Sequence, residues 1–131
     1  MSGMYGMNIK MAIYGESHGA SIGLVIDGVP PGLKLDLEAI EKEMARRAPG
    51  KNQLSTQRKE SDSFAIQSGF FEGYTTGTPL CVVIKNSDQH SKDYSILKDK
   101  MRPGHADYAG FVRYQGFNDY RGGGHFSGRL T

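Results

Sequence analysis

IKMAIYGESHGASIGLVID, residues 9–27, contains two apolar segments separated by a short polar one. In residues 9–13 apolar side chains alternate with others, which predicts a strand with one buried face. The apolar run at residues 22–26 predicts a second, more buried strand. Because GESHG, residues 15–19, lies between the two, we predict an antiparallel hairpin whose loop carries His18.

A helix and a second pair of strands are predicted after this hairpin. Asp36 can cap a helix that continues to the stop signal Pro-Gly at residues 49–50. Alternating apolar residues at 64–70 predict a third strand, and the apolar run LCVVIK, residues 80–85, predicts a fourth. The turn signal TTGTP lies between them and indicates a second hairpin.

A second helix is predicted near the end of the sequence. Pro103 and Gly104 come just before it, and Tyr108, Val112 and Gln115 follow helical spacing. Two hairpins, each followed by a helix, indicate an α+β fold with an antiparallel sheet and helices on one face. At 131 residues the chain is expected to form at most one domain.

Composition excludes some classes of function. Sixteen basic against 14 acidic residues leave a formal charge of only +2, which is too small for a general polyanion binder. The single Cys81 excludes an internal disulfide and favours a reduced, cytoplasmic setting, and no segment is expected to span a membrane. The histidines are too scattered to predict a metal site; they are His18, His90, His105 and His125.

Two of the histidines are candidates for acid–base chemistry. His18 and His105 each lie next to glycine in a predicted turn, where an imidazole can supply or take up a proton near neutral pH. An ordinary surface or hydrogen-bonding histidine is the alternative for both. Ser17 and His18 do not predict a nucleophile and its base, because neighbours in an extended segment point to opposite sides.

Arginines at the ends of elements and in loops form a second pattern. Guanidinium groups bind phosphate and carboxylate in a forked geometry, so several of them could converge on one anion. Solvated surface charge is the alternative for each one taken singly. The arginines in question are Arg47, Arg58, Arg102, Arg121 and Arg129.

The glycine run RGGG, residues 121–124, permits a close approach of the backbone to a ligand. It lacks the spacing of a P-loop or of a dinucleotide-binding turn, and a single RGG is weak evidence for RNA binding. Two further hypotheses stay open from the residues alone. One is a phosphate-binding module without catalysis, and the other is a nucleic-acid-binding domain built on the loop 51–59 and RGGG.

Eight motifs in one order give the sequence a close resemblance to the N-terminal part of chorismate synthase. The resemblance implies the anti 1,4-elimination of phosphate from 5-enolpyruvylshikimate 3-phosphate (EPSP), which yields chorismate and requires reduced FMN. It also implies a β-α-β sandwich, in which helices lie outside packed antiparallel sheets, and a homotetramer. The motifs are GESHG, DGVPPG, RRAPG, STQRKESD, FEGYTTGTP, NSDQHSKDYS, RPGHADY and DYRGGG.

The resemblance also implies roles for individual residues. His18 corresponds to a catalytic histidine expected to act as an acid near the phosphate or the reduced flavin, and His105 to one expected to protonate or hydrogen-bond the flavin. The remaining matched positions are expected to bind the substrate or the cofactor. They are Arg47, Arg102 and Arg129 for the substrate, and Arg121, His125 and Ser127 for the flavin.

The last residues depart from the pattern of the family. GGGHFSGRLT, residues 122–131, stands where many members have GGGRSSARET. Because family members are considerably longer, the chain is expected to be the N-terminal portion of a single truncated domain, inactive by itself and prone to self-association through exposed apolar surface. The sequence leaves open whether the enzyme reduces its own flavin with NADPH or depends on an outside reductant.

Overall fold

The computed structural model describes residues 3–47, 63–86 and 98–123. These residues form a five-stranded antiparallel sheet of order β1-β2-β3-β7-β4, a two-stranded ribbon of β5 and β6, and two helices. The bounds are β1 Met4–Tyr5, β2 Lys10–Gly15, β3 Ser21–Asp27, α1 Leu37–Arg47, β4 Phe64–Ser68, β5 Phe70–Phe71, β6 Tyr74–Thr75, β7 Leu80–Lys85 and α2 Asp107–Arg113.

The hairpin of β2 and β3 confirms the prediction from residues 9–27. Its register runs from Lys10 opposite Asp27 to Gly15 opposite Ile22, so GESHG begins where the pairing ends. On its other side β3 pairs antiparallel with β7. The most apolar strand of the hairpin therefore lies at the centre of the sheet, with a neighbour on each edge.

The third predicted strand is shorter than its alternating pattern indicates. The register of β4 against β7 shifts between Ile66 and Ser68, and the strand ends at Ser68. Gly69 then takes a φ of +79°, with so little space that an added Cβ would lie 2.6 Å from the Cα of Leu80. Phe70 consequently leaves the main sheet and begins the small ribbon, which the alternation of apolar residues does not predict.

Thr75 fastens this ribbon to the turn that precedes α1. Its hydroxyl donates to the carbonyl of Pro30 at 2.7 Å and accepts from the N–H of Leu33 at 2.9 Å. Its own carbonyl accepts from the N–H of Gly32 at 2.8 Å. Only 4% of Thr75 is exposed, so these bonds satisfy polar groups that would otherwise be costly to bury.

The two helices confirm the predicted α+β class, with one boundary corrected. Asp36 caps α1, because its Oδ1 accepts from the N–H of Ala39 at 2.9 Å. Helix α2 contains Tyr108 and Val112 but ends at Arg113, and Gln115 lies beyond it with a φ of +55°. The helical spacing therefore overestimated the length of α2 by including Gln115.

The core of the described residues is thin. Its buried apolar members are Ile22, Leu80 and Ile84, all on β3 and β7. Most contacts between elements in the described part of the chain join neighbouring strands. Large apolar side chains remain exposed elsewhere, and Phe117 is 91% exposed. The described residues thus present apolar surface to solvent, as expected from the sequence; self-association through that surface stays a prediction.

We expect Ile22→Ala to lower the free energy of unfolding by about 2–5 kcal/mol, because it removes a buried side chain from the central strand and leaves a cavity. Ile9→Ala makes the same chemical change at a position that is 55% exposed, and it should cost about 0.5 kcal/mol or less. Urea unfolding followed by circular dichroism measures both. Equal losses would show that the core does not lie at the β3 and β7 pair.

Candidate functional site

GESHG forms a tight turn that buries His18. The N–H of Gly19 donates to the carbonyl of Glu16 at 3.1 Å, so Ser17 and His18 occupy the middle of the turn. Ser17 Oγ lies 2.7 Å from Nδ1 of His18, and only 2% of His18 is exposed. The prediction that these two side chains point to opposite sides is therefore wrong, because it assumed an extended backbone where the chain turns.

Gly122 and Gly123 of the RGGG run lie against Ser17 and His18. Gly122 has a φ of +57°, and a Cβ added there would lie 2.5 Å from Nδ1 of His18 and would also collide with Ser17 Oγ. The next residue, Gly123, donates its N–H to Ser17 Oγ at 3.4 Å. The close approach that RGGG permits is thus made to the histidine of the GESHG turn.

Arg102, His105 and Asp107 form a second cluster. Arg102 donates to Asp107 through Nε and Nη2, both at 2.9 Å, and through its backbone N–H at the same distance. His105 Nδ1 lies 2.6 Å from Asp107 Oδ1 and 3.2 Å from Arg102 Nη2. Asp107 is an acceptor and lies nearer than Arg102, which is a donor, so Nδ1 carries the proton. Nε2 then lies on the side of the ring away from the aspartate.

Charge and hydrogen bonding keep Asp107 ionised. The hydrogen bonds from the Arg102 side chain are the main reason that the pKa of Asp107 lies well below its ordinary value; burial acts in the opposite direction, and the charges of His105 and Arg102 add to the lowering. Arg102 Nη2 also donates to the carbonyl of Gly122 at 2.5 Å. One guanidinium therefore joins the cluster around His105 to the glycine that packs on His18.

Arg121 is held by an aspartate in the same way. It donates from Nε and Nη2 to the two carboxylate oxygens of Asp119, both at 2.8 Å. Burial raises the pKa of Asp119, but the hydrogen bonds from Arg121 and the charges of Arg121 and His18 outweigh it, so the pKa lies below its ordinary value. The hydrogen bonds to Asp119 raise the pKa of Arg121, and Glu16 adds to this effect.

The structure brings four of the predicted site residues together through Gly122. His18 packs on this glycine, Arg102 donates to it, His105 neighbours Arg102, and Arg121 precedes it. Arg47 is the last residue of α1, and its side chain lies outside the described part of the structure. The candidate residues that lie outside the described part of the chain are Arg58, His125, Ser127 and Arg129.

The sequence did not predict the two aspartates of the site, Asp107 and Asp119. Asp107 follows Arg102 by five residues, and Asp119 precedes Arg121 by two, so each pair is local. A search for acidic residues within a few positions of each loop arginine could have found both. Such pairs also change the role of the arginines, because a guanidinium that holds a carboxylate of its own chain has fewer donors left for a ligand.

A cavity of about 280 Å³ lies beside the Arg102–Asp107 pair and the Arg121–Asp119 pair. Asp107, Asp119 and Gly122 line one part of it, and Phe111 and Tyr120 supply aromatic surface. Among the described residues no group of three or more histidine, cysteine or acidic side chains could hold a metal ion, and no helix is long and apolar enough to cross a membrane.

The family model described as chorismate synthase matches residues 9–131, which is nearly the whole sequence. The chain belongs to the chorismate synthase family. A solved structure entitled "Crystal Structure of Chorismate Synthase" is similar to 72% of the chain, with a TM-score of 0.50 and 29% sequence identity. The match covers 26% of that structure's chain.

Curated chorismate synthases support the same assignment. The relative from Pyrococcus abyssi is 54% identical over 130 residues, which are 98% of this chain and 36% of the relative. The relative from Cytophaga hutchinsonii is 50% identical over 131 residues, which are 100% of this chain and 36% of the relative. The chain therefore spans little more than a third of the length of the chorismate synthases it matches.

We expect Gly122→Ala to displace the His18 ring and to lower the free energy of unfolding more than Gly32→Ala does. Both glycines have positive φ values, so both variants share a backbone cost of roughly 1–2 kcal/mol, but only the Cβ at Gly122 meets other atoms. Urea unfolding and the imidazole resonances of His18 measure the difference. Equal stabilities with unchanged resonances would refute the packing of Gly122 on His18.

Asp107→Asn should lower the free energy of unfolding by about 1.5–3 kcal/mol near neutral pH, because Arg102 loses a charged acceptor. The folded state depresses the pKa of Asp107, so this stabilisation is complete above the ordinary aspartate pKa, begins to decline below about pH 4 and is lost fully only when the pH falls through the depressed pKa. The difference between the two proteins should therefore shrink in acid.

Asp36→Asn is the matched control for this prediction. It makes the same substitution at the cap of α1, where asparagine accepts the N–H of Ala39 as well as aspartate does. Urea unfolding at several pH values measures both variants. A difference between the original chain and Asp107→Asn that does not change from neutral pH to acid would contradict the assigned role of the Arg102 and Asp107 pair.

Proposed function

We propose that this chain supplies the N-terminal part of a chorismate synthase, which eliminates phosphate from EPSP to give chorismate. The observation that carries the proposal is the linkage of His18, Arg102 and His105 through Asp107 and Gly122, in a chain of this family. The linkage holds two histidines and one arginine in a fixed arrangement. Such preorganisation is what proton transfer next to a departing anion requires.

His18 is proposed as the proton donor near the departing phosphate. It is buried in a tight turn, and its charge is one of the causes that lower the pKa of Asp119. A buried imidazole beside a carboxylate can deliver a proton without competition from bulk water. Gly122 lies against the His18 ring and Gly123 donates to Ser17, so both glycines border this imidazole.

His105 is proposed as the second proton carrier. Asp107 accepts from Nδ1, which fixes the ring and leaves Nε2 to hydrogen-bond a ligand. The side chain of His105 is 35% exposed, so part of the ring faces solvent. Arg102 is proposed to bind the anionic substrate, and because Asp107 already holds its fork, the substrate competes with that carboxylate for the guanidinium.

Reduced FMN is proposed as the cofactor, and its chemistry would be to lend and recover electron density during the elimination. The described residues do not form a complete flavin site. The cavity of about 280 Å³ is smaller than most cofactor sites, and the fork of Arg121 is engaged with Asp119. The other proposed flavin contacts, His125 and Ser127, lie outside the described residues.

The wider setting is proposed from the family. The complete enzyme would act in the cytoplasm within aromatic amino acid biosynthesis, as a homotetramer, with flavin reduced by NADPH or by an outside reductant. Arg47 and Arg129 would join Arg102 in binding the substrate. The chain of 131 residues alone, which spans 36% of its relatives, is proposed to be inactive.

The test is a chimera in which residues 1–131 replace the matched segment of the Pyrococcus abyssi relative. We expect the chimera to form chorismate from EPSP when reduced FMN is supplied anaerobically. His18→Ala and His105→Ala should each lower kcat by about 10²–10⁴-fold, the usual contribution of a general acid or base.

His90→Ala is the control, because His90 is not among the residues to which the family resemblance gives a role. Its kcat should stay close to that of the unsubstituted chimera. Similar rates for all three histidine variants would remove the roles proposed for His18 and His105. A chimera that folds and binds EPSP but forms no chorismate would favour a phosphate-binding module without catalysis.

A further inference from the structure

The side chain of Asn86, just beyond the end of β7, contacts the backbone of the GESHG turn. Its Nδ2 lies 2.7 Å from the carbonyl oxygen of Gly19, 3.1 Å from that of Glu16 and 3.4 Å from that of Ser17. These three residues surround His18 in the sequence. One amide nitrogen therefore contacts the backbone on both sides of the buried histidine.

The chemistry of these contacts fixes which end of the Asn86 amide faces the turn. Three carbonyl oxygens point toward one place, and carbonyl oxygens accept hydrogen bonds but cannot donate them. An amide NH₂ has two donors, which suit the two nearer oxygens and leave the contact at 3.4 Å as a weaker, shared one, whereas the amide oxygen or a carboxylate would be repelled. Without a donor at this place, each of these carbonyls would lose its contact with Asn86, while the carbonyl of Glu16 would keep the bond from the N–H of Gly19.

The register of the sheet places Asn86 there. Ser21 on β3 lies opposite Lys85 on β7, and the pairing continues for one more residue, because the backbone N–H of Asn86 donates to the carbonyl of Ala20 at 3.2 Å. The GESHG turn connects β2 to the start of β3, which lies next to this point. Asn86 is thus fixed by its backbone on β3 and by its side chain on the turn.

We propose that Asn86 is a positioning residue for His18, which holds the turn so that the imidazole stays between Ser17 and Gly122. The inference rests on the proposed function for its effect on turnover. Its structural part, the control of the His18 ring by a side chain from β7, can be measured without activity.

Asn86→Ala is the test in both proteins, the chain of 131 residues and the chimera. In the chain, the ¹⁵N resonances of the His18 imidazole should shift, because the turn loses its support. In the chimera, kcat should fall about 10²-fold, the effect of a small misplacement of a reacting group, with little change in KM. Asn86→Asp should be worse than Asn86→Ala, because it points a carboxylate at the carbonyls.

Asn8→Ala is the matched control, since Asn8 is exposed in the loop before β2. It should leave the His18 resonances and kcat unchanged. If Asn86→Ala behaves like Asn8→Ala in both measurements, or if Asn86→Asp equals or exceeds the original chain, the inference is wrong. Should Asn86→Ala fail to give a folded far-UV spectrum, Asn86→Ser, which keeps one donor, takes its place with the same readouts.

The two proposals fail in different ways. If His18→Ala retains turnover in the chimera while Asn86→Ala shifts the His18 resonances, the catalytic role of His18 is wrong and the positioning by Asn86 stands. If His18→Ala abolishes turnover while Asn86→Ala leaves the resonances and kcat unchanged, the role of His18 stands and the positioning by Asn86 is wrong.

Discussion

The antiparallel pairing of β3 with β7 is the constraint on which the other features depend. It places Ile22 opposite Ile84 and Ile26 opposite Leu80, and thereby assembles the buried apolar residues of the sheet. The same register brings Asn86 below the GESHG turn. A slip of one residue would move apolar side chains to the other face and would remove Asn86 from the turn at the same time. Core and site therefore share one determinant.

The site itself is organised by aspartates as much as by arginines. Asp107 and Asp119 each accept two hydrogen bonds from a guanidinium, and each has a lowered pKa. Fixed pairs of this kind hold the arginines in place before a ligand arrives, at the cost of donors that the ligand could use. An anion bound by either arginine would therefore have to compete with a carboxylate of the protein.

The sequence predicted the elements better than the details of the site. LCVVIK corresponds to β7 from Leu80 to Lys85, and the first hairpin was predicted, because continuous and alternating apolar runs report burial directly. The departure of Phe70 from β4 depends on the crowded positive-φ glycine before it, which a pattern of apolar residues does not record. His18 and Arg102 were singled out by motif, and the aspartates lie within a few residues of their arginines and could have been predicted. The contact of Asn86 with the turn joins residues 67 to 70 positions apart and arises only in three dimensions.

The contact between Gly123 and Ser17 joins residues that are 106 positions apart in a chain of 131. A contact so distant in sequence forms only after the intervening segments have been made and brought together, and closing such a loop has a large entropic cost. During synthesis the GESHG turn leaves the ribosome long before the glycines that cover it. Ser17 and His18 therefore lack that cover until the chain has been made as far as Gly123, so this contact can form only after the strands between the two segments have been synthesised.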